Sequence, residues 1–363
     1  MATTVTNRVW RQSTPDAVDK DLAEVWREIG EQGPVARSVM SNLVVFRFTE
    51  RRAADRRDLS DPRDPRDSRD SRDSRDPHAP RDPADLPDDL LREVVARHPS
   101  RTIIVEQNRG RHDEPGRPVD ARVGVSVFGP ATAPYAVEWV VLRSACAEAS
   151  WPSVVRRFAR GDVPTSIWWT DDLSNAPTLD AIVSTGRQLL YDSRRWRDIA
   201  RAVGVLSTLL DKYRVDLADI NWRRLAPLRL ALAQASKTPS TQRTGSLSVR
   251  IAHRRDELTL ASLLGGWLAA RLNCDASSWP TLAEEDLGPE LLRIDLAHPG
   301  RRITARLSDE RAEVEQSGMA PLVIAASHED PAESIAVELR SLSMDQALRE
   351  AILAIAHRPA SQQ

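Results

Sequence analysis

The sequence predicts an α/β protein of two domains, the first carrying a largely parallel sheet plus an antiparallel pair, and three observations lead there. Residues 163–195 read strand, loop, helix, strand: 163–169 is a short apolar run, Leu179, Ile182 and Val183 mark a helix, and 188–191 is a second apolar run. Parallel neighbours need such a crossover, and a strand buried on both faces is apolar throughout. Residues 35–48 likewise end in a nearly continuous apolar stretch, which places them inside the sheet. The runs 121–128 and 136–142, separated by Gly129, Pro130 and Pro134, read as the antiparallel pair. With 363 residues the chain is long enough for two cores.

The remaining elements follow in order. Val18, Leu22, Val25, Trp26 and Ile29 recur every three or four residues, an amphipathic helix closed by Gly30 and Gly33. Residues 51–85 cycle through Asp, Pro, Ser and Arg with almost no apolar side chain, so ordering them returns little for the entropy lost; they are expected to be a disordered insertion. A helix at 86–97 and a strand at 102–107 resume the first domain, and a helical segment covers 151–158. Then come a long helix at 194–215 with Asp192 and Ser193 as cap candidates, a tight connection at 219–222, and a helix at 225–235 with Pro227 in its first turn. The second domain reads as strand 247–251, helix 258–272, hairpin 291–296 and 303–307, strands 313–316 and 334–339, and helix 345–356. The expected division is therefore 1–50 with 86–188, the insertion 51–85, and 189–357.

Charge and cysteine content exclude several classes. The formal net charge is −2, so no global field favours nucleic acid or an anionic membrane. Only Lys20, Lys212 and Lys237 are lysines, so 48 of the 51 basic residues are arginine, a compositional bias rather than a nucleic-acid signal. Cys146 and Cys274 stand apart, which suits a reducing cytoplasm and neither a zinc site nor a disulfide scaffold. No run of eighteen apolar residues and no export signal is present, so no membrane association is expected.

No phosphate-cradling glycine motif, nucleophile turn or histidine metal pair occurs; the nearest glycines, Gly265 and Gly266, lie within a helix where close packing accounts for them. No cofactor, metal or catalytic residue is therefore expected. Asp171 and Asp172, and likewise Asp192, sit where strands end, the edge of a parallel sheet at which ligands gather. They read either as acid/base or metal-binding carboxylates or as helix caps. Trp168 and Trp169 are adjacent on one strand and point to opposite faces, so one of them is expected at a groove or partner surface. Asn221, Trp222 and Arg223 form the most distinctive aromatic and polar cluster of the second half, readable as an interface hot spot or as a plug at a domain junction. Arg101 adds a possible contact for phosphate or carboxylate.

Several stretches together resemble the glucose-6-phosphate dehydrogenase assembly protein family, OpcA: 36–46 (ARSVMSNLVVF), 97–106 (RHPSRTIIVE), 162–173 (DVPTSIWWTDDL), 188–196 (QLLYDSRRW), 216–229 (DLADINWRRLAPLR) and 260–272 (LASLLGGWLAARL). The resemblance implies an N-terminal α/β domain, a distinct C-terminal domain, and a non-catalytic cytoplasmic partner that promotes the active oligomer of glucose-6-phosphate dehydrogenase and so supports NADPH production. The alternative from the residues alone is a sugar-phosphate sensor or enzyme using Asp171, Asp172, Asp192 and Arg101. The insertion at 51–85 and the lack of a close cysteine pair depart from some relatives and argue against a local thiol switch.

Overall fold

A computed structural model describes residues 7–49, 88–108, 120–144, 151–176, 179–236, 248–275, 277–298, 301–326, 330–341 and 343–358. The expected insertion at 51–85, and Cys146, lie outside the described residues.

The first sheet has nine strands: β1 (Asn7–Ser13), β2 (Ala36–Arg37), β3 (Ser41–Thr49), β4 (Ser100–Asn108), β5 (Asp120–Phe128), β6 (Tyr135–Ser144), β7 (Thr165–Trp169), β8 (Gln188–Tyr191) and β9 (Asp216–Asp219). Their order is β1-β5-β6-β4-β3-β7-β8-β9, with β2 beside β6. The six strands from β6 to β9 are mutually parallel, and β5 pairs antiparallel with both β6 and β1. The apolar runs explain this: Leu43 to Phe46, Ile103 to Val105, Val140 to Leu142 and Leu189 to Tyr191 are buried on both faces, which only a central parallel strand requires.

Helices cover both faces. The helix α1 (Val18–Glu31) buries Val18, Leu22, Val25 and Ile29, the stripe its periodicity predicts. α2 (Asp88–Arg97), α3 (Trp151–Phe158), α4 (Leu179–Val183) and α5 (Ile199–Lys212) follow. α5 is capped by Asp198, whose side chain accepts from the Arg201 N–H at 2.9 Å, and its start lies later than the expected 194 because a single 3-10 turn occupies 193–195.

Two corrections concern strands. The predicted tight connection at 219–222 is preceded by the four-residue strand β9, too short for its period to register, and followed by α6 (Ile220–Arg223) and α7 (Ala226–Ser236). The first sheet thus continues through β8 and β9, past the division expected at 188/189. Residues 334–339 form part of the helix α9 (Pro331–Arg340), not a strand. Asp330 caps it, accepting from the Ala332 N–H at 3.1 Å, Pro331 opens its first turn, and Ala332, Ile335, Ala336 and Leu339 share the helical spacing that the apolar cluster concealed.

The second sheet contains β10 (Ser248–His253), β11 (Thr281–Glu284), β12 (Glu290–His298), β13 (Arg301–Ser308), β14 (Arg311–Gln316) and β15 (Leu322–Ala325), ordered β11-β10-β12-β13-β14-β15. α7, α8 (Leu258–Leu272) and α10 (Gln346–Ala356) pack with this unit. A Cβ at Gly266 would lie 2.6 Å from the Ala351 carbonyl and from Ile355, so glycine permits the approach of α8 to α10. α9 instead returns to the first sheet, where Ala332, Ile335 and Leu339 pack with α2 residues Leu91, Val94 and Val95 over Leu43, Val45, Trp168, Leu190 and Ala218.

Candidate functional site at the carboxyl ends of the parallel strands

Numbering the six parallel strands by their order in the chain, β3 first and β9 last, their spatial order is 3-2-1-4-5-6. That is the doubly wound dinucleotide-binding arrangement, whose ligand crevice opens where β3 and β7 diverge, outside their carboxyl ends. Here side chains and backbone of the two strands hold that edge together. The Phe48 and Trp169 rings lie 4.7 Å apart, Phe46 and Trp169 5.7 Å apart, and the Thr170 hydroxyl donates to the Phe46 carbonyl at 2.7 Å. Arg195 donates to the Thr170 carbonyl at 2.8 Å, fixing the segment after β8 against the end of β7.

The carboxylates expected to converge are each occupied locally. Asp172 caps a 3-10 turn, accepting the Ser174 N–H at 2.9 Å, the Ser174 hydroxyl at 2.7 Å and the Arg197 N–H at 3.3 Å. Asp192 accepts the Arg194 N–H at 3.1 Å and the Arg194 guanidinium at 2.6 Å, which raises the arginine's pKa. Asp171 is half-buried beside them. The capping reading therefore describes Asp172 and Asp192, as strand ends feeding helical turns require.

Trp168 and Trp169 do point to opposite faces, but both are buried, at 3% and 2% exposure, because helices cover each face; neither stands at a groove. Trp222 is also buried, donating from Nε1 to Asp345 at 2.8 Å with the Arg229 guanidinium 4.1 Å over its ring. It plugs the junction where α6 meets the cap of α10. Arg223 pairs with Glu338 of α9 at 2.6 Å. Arg101 lies at the opposite, amino end of the strands and is buried against Glu138 at 3.0 Å, so it is not available to a phosphate. Burial pushes the Glu138 carboxyl up, and Arg101 and the Trp26 N–H at 2.7 Å draw it back.

The residue that sequence reasoning missed is Asp219. Its Oδ1 accepts the N–H groups of Ser193 and Asn221, both at 3.0 Å, while Oδ2 is enclosed without a hydrogen-bond partner. Burial, opposed by the Ser193 N–H and reinforced by the charge of Asp192, pushes its carboxyl up to about 7. Asn221 donates to the Ser193 hydroxyl at 3.0 Å and accepts from Arg224 at 3.0 Å; Arg224 makes a bidentate pair with Glu257 at 2.8 and 2.6 Å, just before α8. Asp219, Asn221, Arg224 and Glu257 thus link the ends of β8 and β9 to the second unit. The only available signal was the Asp-Ile-Asn spacing at 219–221, an Asx cap after a strand too short to see.

Fold and site together define a protein with the strand order of dinucleotide-binding enzymes, whose carboxylates at the switch edge serve its own backbone. Among the described residues no group of three histidine, cysteine or acidic side chains could hold a metal ion, and no helix is long and apolar enough to cross a membrane. Two family models match, the glucose-6-phosphate dehydrogenase subunit N-terminal domain over residues 92–208 and the corresponding C-terminal domain over 215–352. The chain belongs to this glucose-6-phosphate dehydrogenase assembly family, OpcA. No curated protein matches the sequence. Solved structures similar to this chain include a putative oxidoreductase from Magnetospirillum magnetotacticum (10% identity, 88% of this chain and 99% of that one, TM-score 0.38). A Gfo/Idh/MocA family oxidoreductase from Vibrio cholerae is similar at 9% identity, covering 87% and 94%, with a TM-score of 0.39. Gal80p from Saccharomyces cerevisiae is similar at 8% identity, covering 59% and 80%, with a TM-score of 0.36.

Proposed function

We propose that this protein binds glucose-6-phosphate dehydrogenase and favours its active assembly in the oxidative pentose phosphate pathway, as a cytoplasmic partner that makes and breaks no bonds itself. The observation that carries this reading is a dinucleotide-type sheet whose first strand is not followed by the glycine loop that cradles a dinucleotide's phosphates. The turn leaving β3, where a phosphate-binding glycine loop belongs, falls in a stretch from residue 34 to residue 109 that contains no glycine. At the ends of β3 and β7 the Phe48 and Trp169 rings pack on each other and Thr170 bonds the Phe46 carbonyl. The alternative, a sugar-phosphate sensor or enzyme, loses support because Asp172 and Asp192 cap turns and Arg101 is paired at the far edge.

Such a partner acts by binding the active form of the dehydrogenase better than other forms, and its effect is bounded by that difference in affinity. Of the expected contact residues, Asp171, Asp192 and Arg223 keep partial exposure, whereas Trp168, Trp169, Asn221 and Trp222 shape the surface from beneath. Mixing the purified chain with the dehydrogenase from the same source tests the reading by particle mass and turnover. Co-migration with a raised rate is expected; no change in either overturns it.

A further inference from the structure

We propose that the Asp219 carboxyl is a proton-operated latch between the carboxyl edge of the first sheet and the start of α8, closed while the carboxyl is protonated and loosened when it ionises. The device belongs to this chain alone and needs no dehydrogenase. Asp219 ends β9 and is 1% exposed. Its Oδ1 takes N–H groups from two segments at once, Ser193 after β8 and Asn221 in α6, both at 3.0 Å. Asn221 carries the contact onward: it donates to the Ser193 hydroxyl and accepts from Arg224 at 3.0 Å. Arg224 then holds Glu257, itself buried, through both terminal nitrogens. α8, which begins at the next residue, packs on both the 193–195 turn and α6. Segments far apart in the chain thus meet through one enclosed carboxyl.

The enclosure favours the protonated form. Oδ2 meets no hydrogen-bond donor among the described residues. The cations of the surrounding segments are engaged elsewhere: Arg194 feels the Asp219 charge but bonds Asp192 at 2.6 Å, Arg195 bonds the Thr170 carbonyl, Arg223 pairs with Glu338 and Arg224 with Glu257. Tyr191 of β8 is buried and stays neutral, its hydroxyl pushed well above its ordinary value by burial and then by Asp219, Asp345 and Glu338. Burial likewise raises the Asp219 carboxyl to about 7; the Ser193 and Asn221 N–H groups oppose this and the charge of Asp192 adds to it. An ionised carboxylate so placed is stabilised by water, which reaches it when the 219–224 segment moves off the 193–195 turn and draws Arg224 from Glu257. The open form therefore gains as pH rises from near 4 to 7, and gains no more above 7, where open and closed forms are both ionised.

The test measures amide exchange of the full chain between pH 5 and 8 at constant salt, each rate divided by the intrinsic rate at that pH. The wild type is compared with Asp219→Asn, whose side chain cannot ionise. In the wild type, opening at 190–196, 219–225 and 255–262 is expected to rise together, by about tenfold per pH unit below 7, and to level off above it. In Asp219→Asn all three segments are expected to stay flat. His98, the other buried group that titrates in this range, lies at the amino end of the strands and favours opening toward low pH, so it cannot produce this rise. The same pH response in Asp219→Asn overturns the proposal, as does a wild-type response that leaves 255–262 unchanged, or none at all. If Asp219→Asn melts well below the wild type at pH 5, Asp192→Asn takes its place. Removing that charge is expected to move the levelling-off to lower pH, and an unmoved profile overturns the latch.

Discussion

Asp219 and His98 are buried titratable groups whose protons pull stability in opposite directions. Asp219 titrates near 7 in the fold, against an ordinary value near 3.8. Between those pH values the folded chain keeps a proton that the unfolded chain has lost, so this residue makes stability fall as pH rises, by up to about 4 kcal/mol in all. His98 is the reverse. It accepts or donates at Nε2 to the Ser41 hydroxyl at 2.9 Å, its Nδ1 has no partner, and burial, aided by Arg340, lowers it from 6.5 to about 4. The unfolded chain then binds the extra proton, so stability from this residue is complete above pH 6.5 and is lost toward pH 4. The two slopes oppose each other over that window. In Asp219→Asn, whose amide oxygen can still accept from Ser193 and Asn221, the melting temperature should rise with pH from 4 to 6.5. In His98→Asn it should fall as pH rises from 4 to 7. Parallel pH profiles in the two variants would contradict this assignment.

Elements test the packing. α9 covers the face of the first sheet beside α2, and Arg97 ties the two helices through Asp330 at 2.5 Å and Glu333 at 3.3 Å. Leu339 is 1% exposed, so Leu339→Ala should cost about 2 to 5 kcal/mol in denaturant unfolding. Arg97→Ala, removing partly exposed pairs, should cost under about 1 kcal/mol. Gly266→Ala raises helix propensity by about 1 kcal/mol. It nevertheless places a methyl against the Ala351 carbonyl and Ile355, and it should destabilise by about 1 to 3 kcal/mol as overpacked contacts do. A stabilised Gly266→Ala protein would show that α8 and α10 can part at little expense.

For the whole molecule, α9 makes the two units interdependent. A chain ending at residue 329 keeps every strand of both sheets but loses α9 and α10, uncovering Leu43, Val45, Trp168, Leu190 and Ala218 on the first sheet and the faces of α5 and α8 that α10 covers. It should lose near-UV dichroism and bind a hydrophobic dye, the behaviour of a chain with secondary structure but no fixed packing. A cooperative, wild-type-like transition would show instead that both units close without α9 and α10.

The sequence by itself determined the buried parallel strands, the amphipathic α1 and α5, the antiparallel β5 and β6, and the family, because apolar runs and helical stripes are local patterns that survive any arrangement. Only the tertiary structure decided that Trp168 and Trp169 are both covered, that Arg101 faces Glu138 rather than a ligand, and that the helix at 331–340 packs on the first sheet. It also singled out Asp219, whose chemistry arises from the loss of water around one carboxyl. The physical reason is common to all four. Burial and the identity of a partner belong to residues far apart in the chain, and no local spacing encodes them.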